Sequence, residues 1–235
     1  MSDQDALTPR VIIFRHGETE WAKSGRFTSF TEIELTQAGV AQVFSVAARL
    51  VGAGRLLDPR RLVQVFVSPR VRAVKTLELL LSAYPDVVAG KVTYTEDITE
   101  WSYGDYEGRK DQEIRLLRKK RGLDQEKEWD IWLDGCEGGE SSQQVTERLD
   151  KLISQIREMQ KPYMCGEKPA DVLLVAHGLI LRCFVKRWLG LSIDSPLQMI
   201  LAPGAMAILS YKKNNINEPA IHIGLALPSE EESKF

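Results

Sequence analysis

The chain has 235 residues, 43% of them hydrophobic, enough for one sizeable α/β core or at most two small domains. Its 31 basic and 33 acidic side chains nearly cancel to a formal charge of −2, which excludes a global field aimed at nucleic acid or an anionic membrane as the main partner. Three scattered cysteines, Cys136, Cys165 and Cys183, exclude a metal knuckle, a Cys-x-x-Cys redox pair and a disulfide framework, and the opening MSDQDALTPR has no apolar signal core, so a cytoplasmic protein is expected.

In chain order, Val11-Ile12-Ile13-Phe14-Arg15 is a short apolar run of the kind that forms a buried parallel strand, and it ends in His16-Gly17, where glycine permits a sharp turn. Thr36 then caps a helix carrying Val40, Val43, Phe44, Ala47 and Leu50 at helical period, closed by Gly52-Ala53-Gly54. Leu62 to Val67 reads as a second strand. Ser68-Pro69 supplies an N-cap and a first-turn proline for a helix running to about Tyr84. A strand is expected over residues 92–98, leading into the loop Thr99-Glu100-Trp101-Ser102-Tyr103-Gly104-Asp105-Tyr106-Glu107-Gly108. Residues 109–136 read as a charged helical insertion, with Trp129 and Trp132 packing it onto the body. Ser141 or Ser142 begins a helix with Val145, Leu149, Leu152, Ile153, Ile156 and Met159 on one face. The strand Val172-Leu173-Leu174-Val175-Ala176 follows and again ends in His-Gly, at His177-Gly178. The apolar stretch from Leu197 to Leu209 is short and broken by Pro203-Gly204, too little for a membrane span. His222 lies on a short alternating run and has a structural role, and the acidic tail 229–235 is expected to be disordered. Alternation of strand and helix predicts a three-layer α/β/α fold, with a mainly parallel sheet and helices on both faces.

Ligand chemistry in open α/β sheets collects beyond strand C-termini, so His16 and His177 are expected to share one crevice, with Arg15 adding a permanent cation beside the first. Such a pocket suits a phosphoryl group. The Arg15-His16-Gly17-Glu18-Thr19 stretch, the distant His177-Gly178, Ser68-Pro69-Arg70-Val71-Arg72-Ala73 after the second strand, and Glu100 in its Gly-x-x-Glu-Gly loop together resemble the histidine phosphatase, or phosphoglycerate-mutase-like, superfamily. Trp129-Asp-Ile-Trp132, Asp134-Gly-Cys-Glu137 and Asn217-Glu-Pro-Ala220 extend the likeness toward its sugar bisphosphatases. Between Leu191 and Gly204 the chain is clearly shorter than those members, at a place that could border the substrate pocket.

The resemblance implies one phosphoglycerate-mutase-like domain over residues 1–235, acting as a metal-independent phosphatase with no cofactor. Its expected substrate is a small phosphorylated carbohydrate, first a sugar bisphosphate such as sedoheptulose 1,7-bisphosphate, cleaved at the C1 phosphate. Elementary chemistry agrees with that assignment. Phosphoryl transfer passes through a loose transition state that the protein mainly positions and neutralises, a task for Arg15, Arg72 and His177. A neutral imidazole is a competent nucleophile, and neighbouring guanidinium groups keep His16 unprotonated for attack. A sugar alkoxide leaves poorly without a proton, which Glu100 is positioned in sequence to supply, with Glu107 its main rival and Glu18 a weaker one. Phe27, Thr28, Tyr103 and Arg182 are expected substrate contacts, and Ser68 either contacts phosphate or simply caps its helix. The basic stretch from Arg109 to Arg121 is read as a solvated helix face, with a second phosphate site as its rival. A phosphoglycerate mutase, a broad-specificity phosphatase and a non-enzymatic phosphate-binding adaptor remain alternatives. Homo-oligomerisation is left open; nucleic acid and membrane are not expected partners.

Overall fold

The computed structural model describes residues 8–223, so the acidic tail lies outside the described residues. Six strands, β1 (Val11–Arg15), β2 (Leu62–Val67), β3 (Val92–Tyr94), β4 (Asp171–Ala176), β5 (Met206–Tyr211) and β6 (Pro219–His222), form one mixed sheet in the order β3-β2-β4-β1-β5-β6. The pairs β1/β4, β2/β4 and β2/β3 are parallel, whereas β1/β5 and β5/β6 are antiparallel. The helices are α1 (Glu20–Ser24), α2 (Gln37–Leu50), α3 (Val71–Leu80), α4 (Pro85–Val88), α5 (Asp111–Lys120), α6 (Ile131–Asp134), α7 (Ser142–Gln160) and α8 (Gly178–Trp188).

The unbroken apolar character of β1 and β4 has its cause in the layering. Successive strand side chains point to opposite faces, and both faces are covered. Val11 and Ile13 join the core under α7 and α8, while Ile12 and Phe14 join the core under α2 and α3. Strand β4 divides in the same way, Val172 and Leu174 against Leu173 and Val175.

Local chemistry explains where the elements differ from the sequence expectation. The strand predicted over 92–98 stops at Tyr94, because the Thr95 hydroxyl accepts from the Asp97 amide and starts a 3₁₀ turn over Glu96–Ile98. Helix α3 is capped by Arg70 rather than Ser68, and ends at Leu80 rather than Tyr84. A new turn, α4, begins there with Pro85 at its first position. Ser141 is the cap of α7, in a reciprocal capping box with Gln144. Gly17 is required by close approach rather than by a sharp turn: a Cβ there would lie 2.9 Å from the Gly39 carbonyl oxygen and from Val43, where α2 packs against the strand end.

Candidate active site

The site follows from strand register. Parallel pairing sets Arg15 beside Ala176, so each histidine stands one residue past its strand, with the His16 amide donating to the Ala176 carbonyl. The two rings lie 5.2 Å apart, edge to face. Strand β2 ends alongside, because Val67 pairs with Val175 and the Ser68 amide donates to the Val175 carbonyl.

Hydrogen bonds assign the tautomers. His16 Nδ1 lies 2.7 Å from the Gly17 carbonyl oxygen and must carry its proton there, leaving the Nε2 lone pair available. Burial, and then Arg72, push His16 down to about 3, so the ring is neutral. Arg72 Nε donates to His177 Nδ1 at 3.1 Å, so His177 Nε2 carries the proton and donates to Ser68 Oγ at 2.7 Å. His177 is likewise held well below the ordinary histidine range by burial and Arg72.

Beside His16 opens a cleft of about 360 Å³, whose lining includes Arg15, Glu100, Phe27, Thr28, Tyr103 and Arg182. Arg15 Nη1 donates to the Leu201 carbonyl at 2.7 Å, while its Nε is buried without a hydrogen-bond partner. The guanidinium lies directly over Gly178, where a Cβ would come within 2.9 Å of Arg15 Cζ. Glu100 is held at the N-terminus of α8: its carboxylate accepts from the Leu179 amide (3.0 Å), the Ile180 amide (2.8 Å) and the Trp101 amide (3.1 Å). A helix N-terminus supplies unpaired amides and the positive end of the dipole, so the placement is favourable for a carboxylate. Phe27 packs edge-on against Tyr103 at 4.8 Å, and burial raises the Tyr103 hydroxyl well above its ordinary value, keeping it protonated.

Three sequence-predicted residues do not line the cleft. Arg72, His177 and Ser68 are fully buried behind His16. The Arg72 guanidinium is occupied by backbone carbonyls, Nη1 by Thr31 and Nη2 by Ser29 and Thr28, which ties the loop carrying Thr28 to α3. Ser68 is therefore neither the helix cap nor a cleft wall. The rival acids are accounted for elsewhere: Glu107 accepts from the Ser29 and Thr31 amides and from the Ser29 hydroxyl, and Glu18 accepts from Thr36. In the basic stretch Arg115 pairs with Asp111 and Glu128, Arg118 with Asp124 and Glu137, and Arg121 with Asp105; none of them lines the cleft. Arg118 is buried and stacks on Trp129, so the stretch clamps the insertion and is not simply a solvated face.

Sequence reasoning missed Trp132 as a cleft residue. Both tryptophans pack as expected, Trp129 against Tyr106 and Trp132 against the core beside Trp101, but Trp132 also lines the cleft together with Ile131 and Arg26. Two tryptophans three residues apart in a charged insertion were the available signal. Among the described residues no group of three or more His, Cys, Asp or Glu side chains is placed to hold a metal ion, and no helix is long and apolar enough to cross a membrane.

Comparison with known proteins places this geometry. The sedoheptulose 1,7-bisphosphatase of Saccharomyces cerevisiae is 36% identical, covering 97% of this chain and 98% of that protein. That alignment spans 265 positions, more than the length of this chain, so the yeast protein carries segments that this one lacks. An acid phosphatase of Mycobacterium tuberculosis is 32% identical over 86% of this chain and 87% of its own. The solved structure of an open reading frame product from Mycobacterium tuberculosis superposes with a TM-score of 0.69 at 28% identity, covering 92% of this chain and 96% of that one. With residues 11–220 matching the family profile, paired strand-end histidines and the Glu100 loop around one cleft, the chain belongs to the histidine phosphatase superfamily (branch 1).

Proposed function

We propose that this phosphoric monoester hydrolase acts on a small phosphorylated carbohydrate, sedoheptulose 1,7-bisphosphate first, and removes its C1 phosphate through a phosphohistidine on His16. The carrying observation is the His16 ring: neutral, oriented by its Nδ1 bond to Gly17, and lining the cleft with Nε2 unprotonated. In the first step Nε2 attacks phosphorus, the ester P–O bond breaks, and Glu100, having taken up a proton from the incoming phosphate ester, passes it to the departing sugar oxygen. Water then attacks phosphorus, Glu100 takes a proton from it, and the N–P bond breaks to release inorganic phosphate. Among the described residues lining the cleft Glu100 is the only carboxylate, which supports this role. Arg15 supplies positive charge at the cleft wall. Arg72 and His177, packed behind His16, orient it and set the local field, and direct contact with a phosphoryl oxygen requires Arg72 to exchange a carbonyl for the ligand.

The likeness to the yeast enzyme supports the bisphosphate reading, as do the two further cations of the cleft, Arg26 and Arg182, each anchored through one nitrogen to a backbone carbonyl (Gly108 and Gly178) and able to offer others to a distal phosphate. One charge-assisted contact is worth about 1.5–3 kcal/mol, or one to two orders of magnitude in kcat/KM. Residues 1–235 are read as one domain, with 109–136 as its helical insertion. The test has two arms. Brief exposure to ³²P-labelled ester and an alkaline quench is expected to leave label on His16, whereas label on serine or aspartate overturns the mechanism. Under one condition, sedoheptulose 1,7-bisphosphate and fructose 1,6-bisphosphate are expected to exceed their monophosphates and 3-phosphoglycerate in kcat/KM. A preference for a monophosphate overturns the substrate while leaving the histidine chemistry intact, and transfer to a second ester instead of water identifies a mutase.

A further inference from the structure

Beyond the cleft lies a second cavity of about 320 Å³, and two side chains, Trp132 and Arg182, belong to the lining of both. They form the partition. Arg182 is tied back to its own helix, Nε donating to the Gly178 carbonyl at 3.1 Å. Trp132 stands on α6 of the insertion and is gripped from two sides: Trp101 meets it edge-on at 6.4 Å, and Lys186 of α8 places Nζ 3.8 Å from the centre of its ring. Lys186 is 4% exposed, and its Nζ also donates to the Ile193 carbonyl at 2.6 Å. The amine stands at the wall of the second cavity, where Asp130 and Asp194 also face its charge, and its contacts to the ring and that carbonyl join α8, the insertion and the segment after Leu191. The far side of the wall is polar, lined by Asp130, Asp194, Ser195 and Gln198, surroundings that suit a hydroxyl-rich sugar unit better than an apolar group.

We propose that Trp132, held upright by Lys186, sets the length of ester that the cleft accepts, by closing off a second cavity able to take a further sugar unit. The inference rests on the reading that the phosphoryl group lies beside His16. Trp132 is the specificity determinant, and Lys186 is a positioning residue that acts through it. Removing the indole joins the two cavities; removing the amine lets the indole swing.

The test compares glucose 6-phosphate with trehalose 6-phosphate, which share the phosphorylated end and differ by one sugar ring. Each is measured as a competitive inhibitor of p-nitrophenyl phosphate hydrolysis, so neither needs to be turned over. Trp132→Ala is expected to shift the ratio of inhibition constants at least about tenfold in favour of the disaccharide. Trp132→Leu gives an intermediate shift and carries the test should the alanine variant not fold. Lys186→Met shifts the ratio several-fold the same way with an unchanged phosphorylation burst, and Lys186→Arg, which keeps a cation over the ring, restores the wild-type ratio. A ratio within twofold of wild type in a folded Trp132 variant overturns the proposal, and failure of the arginine rescue removes Lys186 from it. Absence of phosphohistidine on wild-type His16 is a different result, and overturns the reading of the cleft itself.

Discussion

Two side chains bear most of the proposed chemistry, and each is aimed by backbone groups. The Gly17 carbonyl selects the His16 tautomer, and the first amides of α8 hold Glu100. Glu100→Gln keeps the shape but replaces one acceptor oxygen with an NH₂, which then faces a helix amide instead of receiving it. Turnover of sugar phosphates is expected to fall by about 10²–10⁴, the scale for losing a general acid. p-Nitrophenolate leaves without a proton, so phosphorylation by that ester is comparatively spared and shows as a burst followed by slow water attack. Equal damage to the first step with both leaving groups removes Glu100 as the acid. The histidine pair was legible in sequence because both ends of the motif repeat. Glu100 lines the cleft and Glu107 does not, which supports the proposed choice between them.

At the level of elements, two strand-to-helix junctions make the site, and β4-to-α8 is the tighter. Gly178 is the first residue of α8 and lies under the Arg15 guanidinium, so any side chain there displaces the cation. Its φ is not in the left-handed region, so alanine is acceptable to the backbone and favours helix by about 0.5–1 kcal/mol over glycine. Gly178→Ala is therefore expected to leave the thermal midpoint unchanged or slightly raised while kcat/KM falls by about 10–10², the scale of a misplaced binding group. A kcat/KM within twofold of wild type excludes Arg15 from the binding role. Element type and order were readable from periodicity for the long segments. The strand expected over 92–98 is shorter because a single threonine hydroxyl ends the ladder at Thr95.

For the molecule as a whole, burying two neutral histidines ties stability to pH. The folded state holds His16 at about 3 and His177 well below its ordinary value, while an unfolded histidine titrates near 6.5. Below about pH 6.5 the unfolded chain takes up protons that the folded protein refuses, so stability is complete above that value and is lost as the pH falls. His16 costs about 1.4 kcal/mol per pH unit in that window, and His177 adds to the fall in the same direction. Urea midpoints measured from pH 7.5 to 5 are expected to fall accordingly, with a shallower slope in His16→Ala. A flat profile contradicts neutral burial of the pair.

Sequence alone determined the alternation of elements, the double-sided burial of β1 and β4, and the residue types that meet at their ends. Those features are periodic or local, and a chain cannot carry them without displaying them. Tertiary structure decided which groups face the cleft and which support from behind. Arg72, His177 and Ser68 lie close to His16 yet are fully buried, and Trp132 both packs on the core and forms a wall of the cleft. The physical reason is that orientation at the site depends on contacts between residues distant in sequence. Arg72 meets His177 across 105 positions, and Glu100 meets the amides of α8 across about 80. No local pattern encodes which of two nearby carboxylates, or which of two tryptophans, will turn toward the same empty space.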